Sequence, residues 1–131
     1  MIINAHCHRN LLDESCIQVA VYDDRLEVTS PGGLYNGLTY EEVMNGHSKI
    51  RNKGIANIFS QMGLVEAWGS GIKRILNAAE EYGLSKPRFQ EFDNMFRVEL
   101  FRSSFPMTNG KESIGEASEV VWRTDLNNTQ Q

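Results

Sequence analysis

The period of the apolar residues changes twice along the chain, from two to about 3.6 and back to two, and that order restricts the fold more than any other feature. Ile17, Val19 and Val21 alternate with polar residues, Asp23 and Asp24 interrupt, and Leu26 and Val28 resume on the far side. Alternation puts successive side chains on opposite faces of an extended strand, so residues 17–28 predict a β-hairpin with a tight acidic turn. Ile55, Ile58, Phe59 and Met62, and later Ile72, Ile75, Leu76 and Ala79, instead recur at i, i+3, i+4 and i+7. That spacing is the stripe of a helix with one buried face. After Pro87 the period returns to two, with Phe96, Val98 and Leu100 on one face and Asp93 and Asn94 marking a turn before them. Strands at both ends with helices between predict an α+β fold, a two-layer sandwich with helices on one face of a mixed or antiparallel sheet.

Local signals set the boundaries. Ser30, Pro31, Gly32 and Gly33 break the hairpin's second strand. Thr39 followed three positions later by Glu42 is a capping box, and Leu38 and Val43 can close over that helix start. A second helix is expected over residues 53–62, with Gly63 supplying the left-handed stop. The third turns Lys73, Arg74, Asn77 and Glu80 outward and stops at Gly83. Ile2, Ile3, Asn4 and Ala5 read as the end of a helix truncated before its first turns. After Arg102 the composition shifts to Ser, Thr, Asn, Gln, Gly and Glu, which divides the chain into a domain, residues 1–102, and a polar tail or linker, residues 103–131. Val120, Val121 and Trp122 are the tail's apolar knot and are expected to dock.

The 131 residues, 40% hydrophobic, suffice for one core. No run approaches the ~20 apolar residues that cross a bilayer, and no signal-peptide pattern opens the chain, so a cytoplasmic protein without membrane contact is expected. Cys7 and Cys16 read as free thiols. The net charge is −4, with 11 basic against 13 acidic side chains in residues 1–102 and 2 against 4 beyond. A domain that binds DNA by itself displaces counterions with a basic surface, so this chain is expected to meet DNA only indirectly.

Chemistry concentrates in NAHCHRN, in SPGGL and in residues 51–75, which hold RNKG and EAWGSGIKRI. Gly69 and Gly71 flank Ser70 directly before the third helix, where unpaired amides and the helix dipole suit an anion such as phosphate. Pro31, Gly32 and Gly33 allow the backbone to approach a ligand closely. The Asn4 amide oxygen suits a metal-bound phosphate. Taken alone, each of these is better accounted for by a plain loop, a turn, and a capping or surface asparagine. His6, Cys7, His8 and Cys16 are soft metal ligands, but they lack paired spacing and read better as structural residues. Lys49, Arg51 and Lys53 form a basic run that Lys73 and Arg74 can join; it reads as a solvated face before a contact for a nucleotide's phosphates or a DNA backbone. No phosphate loop of the GxxxxGK[ST] type and no GxSxG elbow occurs, which excludes a helicase motor and an elbow-type hydrolase.

Taken in order, NAHCHRN, YDDRLEVTSPGGL with LTYEE, RNKGIANIFSQMGLVEAWGSGIKRIL and KPRFQEFDNMFRVELF resemble the RecG-related C-terminal domain of many bacterial transcriptional regulators, over roughly residues 2–102. That family resembles in turn the ATPase fold of gyrase, heat-shock chaperones, histidine kinases and MutL. The resemblance implies ATP and magnesium as ligands, Asn4 as the magnesium-holding residue, and a catalytic Glu that would precede Met1. It implies Ser30, Gly32 and Gly33 at the base, with Ser30 standing where the wider fold has an Asp, and Gly69, Ser70 and Gly71 at the phosphates. It also implies flanking DNA-binding domains as partners. The expectation is an ATPase-like, nucleotide-binding regulatory module that does not hydrolyse ATP alone. The alternative is a structural or dimerisation module, a homodimer included, that has lost the nucleotide.

Overall fold

The computed structural model describes residues 1–65 and 69–103. It contains α1 (Ile2–His8), β1 (Gln18–Val21), β2 (Arg25–Pro31), α2 (Tyr40–Met44), α3 (Lys53–Gln61), α4 (Gly71–Glu81), β3 (Arg88–Phe92) and β4 (Met95–Phe101). The strands form one four-stranded antiparallel sheet in the order β1-β2-β4-β3, so the fold is α+β. Among the described residues no helix is long and apolar enough to cross a membrane. The segment from residue 104 onward, including Val120, Val121 and Trp122, lies outside the described residues.

Register explains the core. Val28 faces Val98 across β2 and β4, and Val98 faces Phe89 across β4 and β3, so three apolar side chains stand in a row on the helix side. Ile72 of α4 closes on Phe89 and Val98, with Val43, Met44, Ile75, Leu76 and Phe96 around them. Burying each of the central side chains contributes about 2 kcal/mol. Thr39 and Glu42 make the capping box in both directions. Gly63 and Gly83 adopt positive φ, 72° and 66°, and end α3 and α4 as the sequence predicts.

Two expectations need correction. β2 does not break at Ser30: Ser30 and Pro31 stay in the ladder opposite Phe96 and Met95. β1 ends its pairing at Thr29, so beyond that point the missing N–H of proline faces no partner strand and costs nothing. The apolar stripe of α3 is also not buried as a whole. Ala56 is fully buried while Ile58 and Met62 are 58% and 63% exposed. α3 packs on α1, a helix of seven residues, which covers only the strip around Ala56 and the edge contact of Phe59 with His6.

The outer face of the sheet carries charge. Glu27 and Glu99 stand directly opposite each other and are 4% and 1% exposed, an unfavourable pair by itself. Arg25 and Arg97 bind Glu27 at 2.8 and 3.5 Å, and Arg88 forks onto Glu99. Arg25, Arg88 and Arg97 lie over the rings of Tyr22, Phe101 and Phe92. Burial pushes the Glu99 carboxyl up, but the Arg88 hydrogen bond and charge outweigh it and hold the group below its ordinary value. A depressed folded pKa contributes stability above the unfolded value and loses it as pH falls through the folded one. Urea unfolding is therefore expected to show stability falling below about pH 4.5, the ordinary value, with a shallower fall in Glu99→Gln.

Candidate functional site

A cavity of ≈ 740 Å³ lies between the helices and the sheet, and all seven residues singled out from the sequence, Asn4, Ser30, Gly32, Gly33, Gly69, Ser70 and Gly71, line it. They come from three walls that are far apart in the chain: α1, the end of β2, and the start of α4.

The α4 wall follows from glycine. Gly69 has φ +82°, and a Cβ there would collide with the carbonyl oxygen of Gly46, so the loop after α2 and the approach to α4 touch backbone to backbone. Ser70 stands at the N-cap without a side-chain cap hydrogen bond, and no acidic residue sits in the first turn. The amides of that turn and the helix dipole thus form a positive end. Asn4 Oδ1 lies 2.9 Å from the point where Gly71 would carry a Cβ. Glycine at 71 leaves room for that amide, and the helix start and Asn4 share one corner of the cavity.

The β2 wall is held from behind. Gly32 has φ +102°, and its N–H donates to Asn94 O at 2.7 Å. Leu34 N–H donates to Glu91 Oε1 at 2.7 Å, and the same carboxylate fills the space a Cβ on Gly33 would need. Ser30, 5% exposed, shares the cavity face of β2 with Leu26 and Val28. Its hydroxyl offers both a donor and an acceptor at the apolar end.

Charge completes the picture. Lys49, Arg74, His8 and His47 line the cavity, and no Asp or Glu does among the described residues, in a chain of net charge −4. Burial, and then the nearby Arg51 charge, holds His8 below its ordinary value, so it is neutral near pH 7. Lys49 Nζ donates to Asn36 O at 2.9 Å, which fixes its side chain at the rim. This donor set fits a phosphorylated ligand with an apolar or planar body. For magnesium the described lining offers Asn4 Oδ1 beside the helix start and no carboxylate, so the ion's other oxygens would have to come from a ligand's phosphates and from water. Among the described residues no group of three or more His, Cys, Asp or Glu is arranged to hold a metal. Cys7 is buried and Cys16 exposed, both free.

The basic run of the sequence divides. Lys49 reaches the cavity, Lys53 is exposed, and Arg51 turns inward to donate to Gly33 O at 2.9 Å, so it is neither a solvated charge nor a phosphate contact. Arg74, which can join that run, lines the cavity, as does His8, read from the sequence as a structural residue; His47 and Glu91 were not legible as site residues, because nothing local distinguishes them from surface polar groups. Asn94 carried a signal, its place in the β3–β4 turn, but that turn's proximity to Gly32 is a tertiary fact.

A family model described as "Putative ATP-dependent DNA helicase recG C-terminal" matches residues 14–100. Among solved structures the chain is similar to the DIP2311 protein from Corynebacterium diphtheriae, with 28% identity, a TM-score of 0.69 and 77% of this chain covered. The chain spans 22% of that protein's chain. No curated protein matches.

Proposed function

The chain belongs to this RecG C-terminal family of ATPase-like domains, and from that premise we propose that its cavity binds ATP as a regulatory ligand. The observation that carries the proposal is the meeting of Asn4, both glycine segments, Lys49 and Arg74 around one cavity that no carboxylate lines among the described residues. The phosphates lie at Gly69, Ser70 and Gly71, where the first-turn amides of α4 and the Arg74 side chain neutralise them. Asn4 is the side chain that would hold magnesium, whose charge would help neutralise the phosphates there. The base lies on the sheet floor over Ser30, Leu26 and Val28. Water activation requires a general base within hydrogen-bond reach, and the described lining offers no carboxylate for that role. Binding without turnover is the expected behaviour of this chain.

In the whole protein, occupancy of the cavity would bias the arrangement of flanking DNA-binding domains, making this a ligand-sensing part of a transcriptional regulator. The acidic chain itself meets DNA only through those partners. Titration calorimetry with ATP, ADP and adenosine, with and without magnesium, tests the reading. ATP is expected to bind at least about tenfold more tightly than adenosine, and Asn4→Ala is expected to remove the gain from magnesium. Adenosine binding as tightly as ATP, or no binding at all, would leave a structural or dimerisation module in its place.

A further inference from the structure

The RNKG segment is absorbed neither by the core nor by the cavity lining, yet its first two residues touch two of the cavity's walls. Asn52 Nδ2 donates to His6 O at 3.1 Å and to Arg9 O at 2.8 Å, and its backbone N–H donates to Cys7 O at 3.1 Å. These are carbonyls that the end of a helix leaves open, and α1 is too short to persist without such partners. The adjacent Arg51 donates to Gly33 O at 2.9 Å and lies over the Tyr35 ring at 5.0 Å. Its guanidinium also occupies the space a Cβ on Gly32 would need. Asn10 N–H donates to Pro31 O at 2.7 Å, tying the same two walls directly. Arg51 Nε is buried without a hydrogen-bond partner among the described residues, so the planar group is placed by its stacking and its one carbonyl rather than by a charge partner.

We propose that Arg51 and Asn52 are positioning residues, a two-residue clamp that holds α1, and with it Asn4, at a fixed distance from the Gly32 and Gly33 wall. The consequence for affinity rests on the nucleotide reading; the clamp itself is read without nucleotide. Loosening either half widens the cavity at the far side from α4 and moves Asn4 away from its corner. Lysine at 51 keeps the charge but lacks the planar fork that both stacks and donates, so the clamp depends on the shape of arginine.

The test uses the whole chain carrying Arg51→Ala, Arg51→Lys, Asn52→Ala or the double alanine substitution, with amide hydrogen exchange followed residue by residue and ATP titrated in parallel. Unchanged exchange within β4 shows that each variant is folded. Each single alanine variant is expected to speed exchange of the Asn10 amide and of the Gly32 amide together, about tenfold, as for a lost opening energy of ~1.4 kcal/mol. The double variant is expected to add little more, because a clamp opens once. ATP affinity is expected to fall about tenfold in parallel, and Arg51→Lys to behave like alanine. Exchange that rises on one wall only, effects that add fully in the double variant, or restoration by Arg51→Lys would each overturn the clamp. Coupled exchange in a parent chain that binds no ATP would leave the clamp standing and remove the nucleotide reading.

Discussion

Gly71→Val is expected to weaken ATP binding by about a hundredfold, ~2.7 kcal/mol, while the domain unfolds at nearly the temperature of the parent. The two effects separate because of where the new atoms go. Gly71 opens α4, a position where a side chain carries no backbone penalty and glycine is itself a poor helix former. The atom that a Cβ meets first is Asn4 Oδ1, at 2.9 Å, with Asn4 Cγ at 3.7 Å and no further contact across the fold within 4 Å among the described residues. That amide is the free end of a side chain and can swing aside at little cost to the fold. What is lost is the corner: the branched valine methyls fill the space in front of the first-turn amides and displace the oxygen proposed to hold magnesium. Calorimetry with ATP and a thermal melt on the same sample read both halves. An affinity within twofold of the parent would remove the phosphates from this helix start.

Gly69→Ala is expected to act on the fold instead, lowering stability by about 3 kcal/mol, the upper part of the range for a strained non-glycine conformation. Its φ is +82°, and the added Cβ would collide with the carbonyl oxygen of Gly46, a backbone atom with no rotamer to take. Relief requires the loop after α2 to separate from the approach to α4. Gly37→Ala is the matched control, since Gly37 has φ +72° but, among the described residues, nothing beyond its chain neighbours lies within 4 Å of an added Cβ. It is expected to lose only about 1 kcal/mol. Equal losses in the two variants, measured by urea unfolding, would mean that backbone strain alone matters and that the contact with Gly46 does not.

What the sequence disclosed was what local physics determines. The hairpins at Asp23 and Asp93, the Thr39 capping box and the ends of α3 and α4 rest on neighbours within a few positions, and period and turn chemistry register them. Ser30 and Pro31 escaped because the permission for proline in the ladder comes from β1 ending early, a feature of the partner strand. The stripe of α3 misled because its spacing says which side chains share a face but not how wide the neighbour is, and α1 is narrow. At the site, the glycines and Asn4 were legible one by one through residue type and through resemblance to a family. Their meeting at one cavity is set by the antiparallel order of the sheet and by the return of α4 across it. Arg51, Asn52, Glu91 and Asn94 hold the walls through contacts 18 to 61 residues apart in sequence, and periodicity carries no trace of such pairs.

The most direct measurement is the amide spectrum of the isotope-labelled chain as ATP and magnesium are added. The account predicts shifts at Asn4, Gly32, Gly33, Gly69, Ser70 and Gly71, with Glu27, Thr29 and Arg97 on the outer face of the sheet unmoved. A spectrum that does not change at saturating ATP, or shifts confined to the outer face, would contradict it.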